Sequence, residues 1–139
     1  MLAFSNSSSI EVATSLRSGT YQFAHVSEFG KICAKYPEKA KEIVTGTFET
    51  VHPGSYLFVE STAEGRNGYF FRYVEEAKKR QQMGIKPNTL QFKLHFFPWY
   101  EDSRNKLVAA LNIPESMEKY FISIEANIGR RLSREQKTW

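Results

Sequence analysis

Two short apolar runs end alike and constrain this chain more than anything else in it. YQFAHV (21–26) runs into Ser27 and Glu28, and SYLFV (55–59) runs into Glu60, Ser61 and Thr62. Both are rich in β-branched and aromatic residues and are bounded by turn-forming residues, which reads as strand. Between them, Pro37 opens a helical pattern over 37–50. Ala40, Ile43, Val44, Thr47, Phe48 and Val51 fall on one face of it. Strand, helix and strand in that order predict a parallel pair joined by a crossover. The near-continuous run 55–61 suits a strand covered on both faces.

The rest of the chain fills out an α/β pattern. SIEVAT (9–14) and TYQFAHV (20–26), joined by SLRSG, predict a hairpin, and SNSSS (5–9) a polar loop. HPGS (52–55) reads as a turn. A helix is expected from Asn67 to about Met83, with Phe70, Tyr73, Val74 and Ala77 inward and Gly84 ending it. The alternating TLQFKLHFF (89–97) predicts a third main strand. Ser103 caps an expected helix through Leu111. Pro114 opens another, with Ile113, Met117, Tyr120, Phe121, Ile124 and Ile128 on one face up to Gly129. SREQ (133–136) is a capping-box signature for a last helix. The expected domain plan is an α/β region over 1–100 followed by a helical appendage over 101–139.

Composition narrows the function without choosing it. Within 139 residues, 41% are hydrophobic, 14% aromatic and 24% charged, which is ordinary for a globular chain and argues against disorder. The net charge of +4 permits a nucleic-acid partner without requiring one. Cys33 is the only cysteine, so no intramolecular disulfide forms, which fits a reducing compartment. No stretch approaches the ~20 apolar residues that a membrane span needs, and MLAFSNSSSI lacks the marks of a signal peptide. His25, His52 and His95 have no metal-ligand spacing. Lys78, Lys79 and Arg80 read as a solvated helix face, and the FFPWY aromatics as packing.

Ligands in open α/β sheets bind beyond the carboxyl ends of the strands. Acid-plus-hydroxyl endings on two consecutive parallel strands are therefore candidate chemistry, set against the plain reading of Glu28 and Glu60 as strand-end acids. The stretches SLRSGTYQFAHVSEFGKI, LFVESTAEGRNGYFF and FFPWYED, with the tail EKYF…IEANIG…LSREQKTW, resemble the large terminase subunit of tailed phages, the ATP-driven motor that packages DNA. The resemblance implies a partial P-loop NTPase sheet of the additional-strand type, with flanking helices and the C-terminal helical appendage leading toward a nuclease domain.

Residue by residue, AHVSE resembles the Walker B strand. Glu28 matches the glutamate that orients the attacking water. Ser27 stands where an aspartate usually helps to hold Mg2+ through its water shell. Ser61 and Thr62, with Ala63, resemble the coupling motif that relays hydrolysis to motion. Arg17 matches the region where some terminases carry a trans-acting arginine finger.

The same resemblance implies ATP and Mg2+ as the family's cofactors. It implies double-stranded DNA, the portal protein and the small terminase subunit as partners, a possible homo-oligomer, no membrane, and the cytoplasm of the bacterial host. No G-x-x-x-x-G-K loop followed by Ser or Thr occurs, so the expectation is a fragment whose phosphate-binding loop lies upstream and which is inactive alone, binding no cofactor by itself. The missing loop strand would leave either 90–96 paired to 55–61 or an open sheet edge. The alternative is a non-catalytic α/β module that binds DNA or phage assembly proteins.

Overall fold

The computed structural model describes all residues from Met1 to Trp139. It is a mixed α/β chain with five α-helices and two small sheets. The chain divides into two compact units, Met1–Leu94 and His95–Trp139.

The first unit is built on a parallel pair, β3 (Tyr21–Val26) and β4 (Val51–Val59). Phe23 lies opposite Tyr56, His25 opposite Phe58 and Val26 opposite Val59. The register slips between Tyr21 and Phe23, and the HPGS residues read as a turn lie inside β4, in that irregularity. The crossover runs through α1 (Phe29–Lys35), α2 (Pro37–Glu42), a π-helical turn over Ile43–Thr47 and a 3-10 turn over Phe48–Thr50. The expected helical path over 37–50 is there. Helix α1 was not expected, although Phe29, Ile32 and Cys33 have helical spacing. Helix α3 (Gly68–Gln82) follows the ESTAEG loop.

The core gathers Val26, Phe29, Cys33, Ala40 and Ile43, with Leu57, Val59, Phe48, Phe70 and Tyr73 packed against it. Phe29 is fully buried, between the rings of Phe48 at 5.7 Å and Phe70 at 6.5 Å. Burial of such a ring is worth about 1.5–3 kcal/mol.

Several local expectations are overturned, most of them by a competing hydrogen bond. The hairpin between 9–14 and 20–26 does not form. Instead β2 (Ser9–Ile10) pairs antiparallel with β1 (Leu2–Ala3), because the SNSSS residues make a tight turn. Asn6 Oδ1 accepts there from Ser8 N and Oγ. The segment before β3 is tied to the crossover, where Leu16 N donates to Thr47 Oγ1 and Leu16 O accepts from it.

The third strand over 89–97 is also absent. The Phe92 and Leu94 carbonyls are taken by Arg80 Nη2 and Gln81 Nε2 of α3, and the Phe92 ring lies 5.1 Å from that of Tyr73. The alternation is real, but it packs onto a helix rather than a ladder, so the edges of β3 and β4 stay unpaired.

The run 55–61 is covered on one face only. Leu57 and Val59 meet the core, while Tyr56 is 66% and Phe58 51% exposed, beside Phe23 at 61%. These three rings form a bare aromatic face, with Phe23 and Phe58 5.2 Å apart. Phe96 and Phe97 of the FFPWY stretch, expected to pack, are exposed as well.

The second unit holds α4 (Glu115–Ile128) and α5 (Arg134–Thr138). The capping box forms, with Ser133 Oγ accepting from Gln136 N and Ser133 N donating to Gln136 Oε1. The helix expected over 103–111 is missing. Asp102, not Ser103, turns the chain by accepting from Arg104 N, and the Leu107 backbone bonds to Glu135 O and Thr138 Oγ1. Of the α4 stripe only Phe121 is buried, and Lys137 packs against it.

Candidate functional site

The parallel register brings two strand ends together. Because Val26 lies opposite Val59, the next residues, Ser27 and Glu60, are neighbours. Their backbones continue the pairing for one more step, with Glu60 N donating to Val26 O and Phe29 N to Glu60 O. Ser27 Oγ donates to Glu60 Oε1 at 2.5 Å. His25 Nε2 approaches the same oxygen at 3.5 Å. Ser27, Glu28 and Glu60 are all open to solvent.

Glu28 follows directly and is left-handed, at φ 55° and ψ 32°. A non-glycine residue in this region costs about 1 kcal/mol or more. The turn lets α1 start at once, and Glu28 O accepts from Ile32 N. Strained residues of this kind collect at functional sites.

On the neighbouring strand end, Ser61 Oγ is buried without a hydrogen-bond partner. It points at Gly30, where a methyl group would lie 2.8 Å from Ser61 Oγ and 3.0 Å from Thr62 O. Thr62 itself is exposed. The ESTAEG loop then lines a small hollow of about 80 Å³ with Gly30, Phe70 and Val74.

Arg17 is not part of this corner. It precedes β3, so the six residues of that strand, at about 3.3 Å each, separate it from Glu28 by about 20 Å. Its guanidinium pairs with Glu42 at 3.0 Å, beside a shallow depression of about 450 Å³ that also includes Gly19, Gly46, Glu49 and Thr50. Ser15 Oγ donates to the same Glu42. That bond, with Lys39 and Arg17, holds the Glu42 carboxyl below its ordinary value. Among the sequence candidates, then, Ser27 and Glu28 stand beside Glu60, Ser61 and Thr62 lie one step along the second strand end, and Arg17 stands alone.

Sequence reading gives His25 no part in the corner, for lack of metal spacing. It weighs Glu60 as strand-end chemistry without pairing it to Ser27. The signal for both was the period of two, which puts 23 and 25, and 56, 58 and 60, on one sheet face.

No three His, Cys, Asp or Glu side chains converge in a metal-binding group. Mg2+ does not need one, since it keeps several waters and uses one or two carboxylates with substrate phosphates. The Glu60 and Glu28 carboxylates with the Ser27 hydroxyl are compatible with such a water-mediated site. No helix is long and apolar enough to cross a membrane. No protein-family model matches the chain, and no curated protein or solved structure matches it either.

Proposed function

We propose that this chain is part of a DNA-packaging ATPase of the phage large-terminase type, carrying the Walker B-like and coupling-motif strand ends without a phosphate-binding loop. The observation that supports this most is the juxtaposition at one sheet edge. Ser27–Glu28 and Glu60–Ser61–Thr62 end adjacent parallel strands joined by a helical crossover, where α/β sheets bind ligands.

In this reading Glu28 orients and polarises the attacking water. Ser27 faces the water shell of Mg2+, which when bound would neutralise charge on the ATP phosphates. Thr62 relays the state of the site into the ESTAEG loop and α3. Arg17, at the far end of β3, acts on a neighbouring subunit. Double-stranded DNA, the portal protein and the small terminase subunit are the partners of this reading, in the bacterial cytoplasm.

The test supplies the missing loop. With a phosphate-loop half joined upstream of Met1, ATP turnover should appear, and Glu28→Gln should lower kcat by roughly 10²–10⁴, the range for a general base, with nucleotide affinity little changed. The 139-residue chain by itself should not exceed the blank, for want of amides and a lysine to hold the phosphates. Turnover that ignores Glu28→Gln refutes the reading. The second reading, a non-catalytic module for DNA or phage assembly proteins, draws on the bare aromatic face of β3 and β4. It expects partner binding that is indifferent to Glu28.

A further inference from the structure

The water shell of a divalent cation consists of hydrogen-bond donors, so the groups that hold it must be acceptors. An aspartate is acceptor-only. A free serine hydroxyl is not, because its rotating proton can point at the shell. In this protein the proton of Ser27 is committed. Ser27 Oγ donates to Glu60 Oε1 at 2.5 Å, within the short range of charge-assisted O–H···O⁻ bonds. Both lone pairs of Ser27 then face away from Glu60. The two protein contacts of the Glu60 side chain, from Ser27 and His25, both fall on Oε1, which leaves Oε2 for solvent.

We propose that Ser27 and Glu60 form one anionic, acceptor-only unit that does across two strands what a single aspartate would do on one, with Glu60 as the positioning residue that carries the charge. This rests for its purpose on the ATPase reading, since that reading asks for a cation at this corner. The geometry explains how a neutral hydroxyl can occupy the position. The strand register delivers a carboxylate from the neighbouring β-strand, and the hydrogen bond fixes which way the hydroxyl faces. Glu60 is thereby distinguished from Glu28, which shares neither contact.

The test needs no nucleotide and uses the 139-residue chain as it stands. Amide NMR spectra are recorded with substoichiometric Mn2+ as the paramagnetic probe. Selective broadening is expected at Ser27, Glu28, Glu60 and Ser61. Glu60→Gln keeps an acceptor for Ser27 but removes the charge, and should weaken the broadening about tenfold or more, as loss of one charge-assisted contact would. Ser27→Ala should weaken it too, because the oriented hydroxyl acceptor is lost. Unchanged Val26 and Phe29 amide shifts report that the corner is still folded.

Broadening that is absent, centred elsewhere, or equal in wild type and Glu60→Gln overturns the proposal. The two readings fail separately. A Glu60-dependent Mn2+ centre with no turnover in the loop-completed chain removes the ATPase reading alone. Glu28-dependent turnover with broadening blind to Glu60 removes this proposal alone.

Discussion

Substituting Gly30 and Gly46 with alanine should shift stability in opposite directions. Both glycines lie in the helical crossover, so each alanine gains intrinsic helix preference, worth about 0.5–1 kcal/mol. At Gly46 the added methyl would find Arg17 Cγ at 3.5 Å and Leu16 O at 3.6 Å, which is ordinary contact. Gly46→Ala should therefore stabilise by roughly 0.5 kcal/mol. At Gly30 it would meet Ser61 Oγ at 2.8 Å and the Thr62 carbonyl at 3.0 Å. The hydroxyl can swing aside, but the carbonyl belongs to backbone and cannot. Overpacking of this kind costs about 1–3 kcal/mol, so Gly30→Ala should be destabilising by about 1 kcal/mol after the helix gain. Urea unfolding of the two variants, read by far-ultraviolet circular dichroism, measures both. In a unit the size of Met1–Leu94 the Gly30→Ala loss corresponds to a fall in Tm of about 4–8 °C. If Gly30→Ala stabilises as much as Gly46→Ala, the close approach of α1 to the ESTAEG loop is wrong, and so is the packing that sets Ser61 and Thr62 beside Glu28.

Other outcomes follow from the same geometry. In the second unit, Lys137 Nζ at 2.9 Å and the Leu132 amide hold the Glu125 carboxyl below its ordinary value. A depressed folded-state pKa stabilises above the unfolded value of about 4.3, and that part is lost as pH falls through the lower folded value. Acid titration of α4 and α5 followed by NMR should show it, and Glu125→Gln should flatten the dependence. In the loop-completed chain, Thr62→Ala should abolish DNA translocation more fully than ATP turnover. Arg17→Ala should lower only the DNA-stimulated rate of the assembled oligomer, not the basal rate of the monomer. Equal loss in both assays for either variant contradicts the role assigned to it.

The strand pair and its site end were legible because local signals and tertiary structure agree there. YQFAHV and SYLFV are strongly β-forming, the segment between them is helical by period, and a parallel pair is what that order allows. TLQFKLHFF failed for a reason no window of sequence carries. Its alternation predicts a two-faced extended segment, and Phe92 and Leu94 do turn inward. Whether such a segment joins a ladder depends on who takes its carbonyls, and Arg80 and Gln81, a helix away, take them. The SIEVAT hairpin failed likewise through Thr47, a remote residue that captures both backbone groups of Leu16. At the site, Ser27 and Glu28 were visible as a strand ending. The Ser27–Glu60 bond was not, because it depends on register, which only the folded pair specifies.

The left-handed turn at Glu28 sets a conflict that plays out over generations rather than within a molecule. Glutamate and glycine codons differ by a single base, and glycine occupies this backbone region without the steric penalty glutamate bears. One mutation would thus relax the turn and delete the carboxylate together. A lineage selected on folding alone has an open route to glycine here. Keeping glutamate requires a cost, each time that mutation arises, in something other than stability.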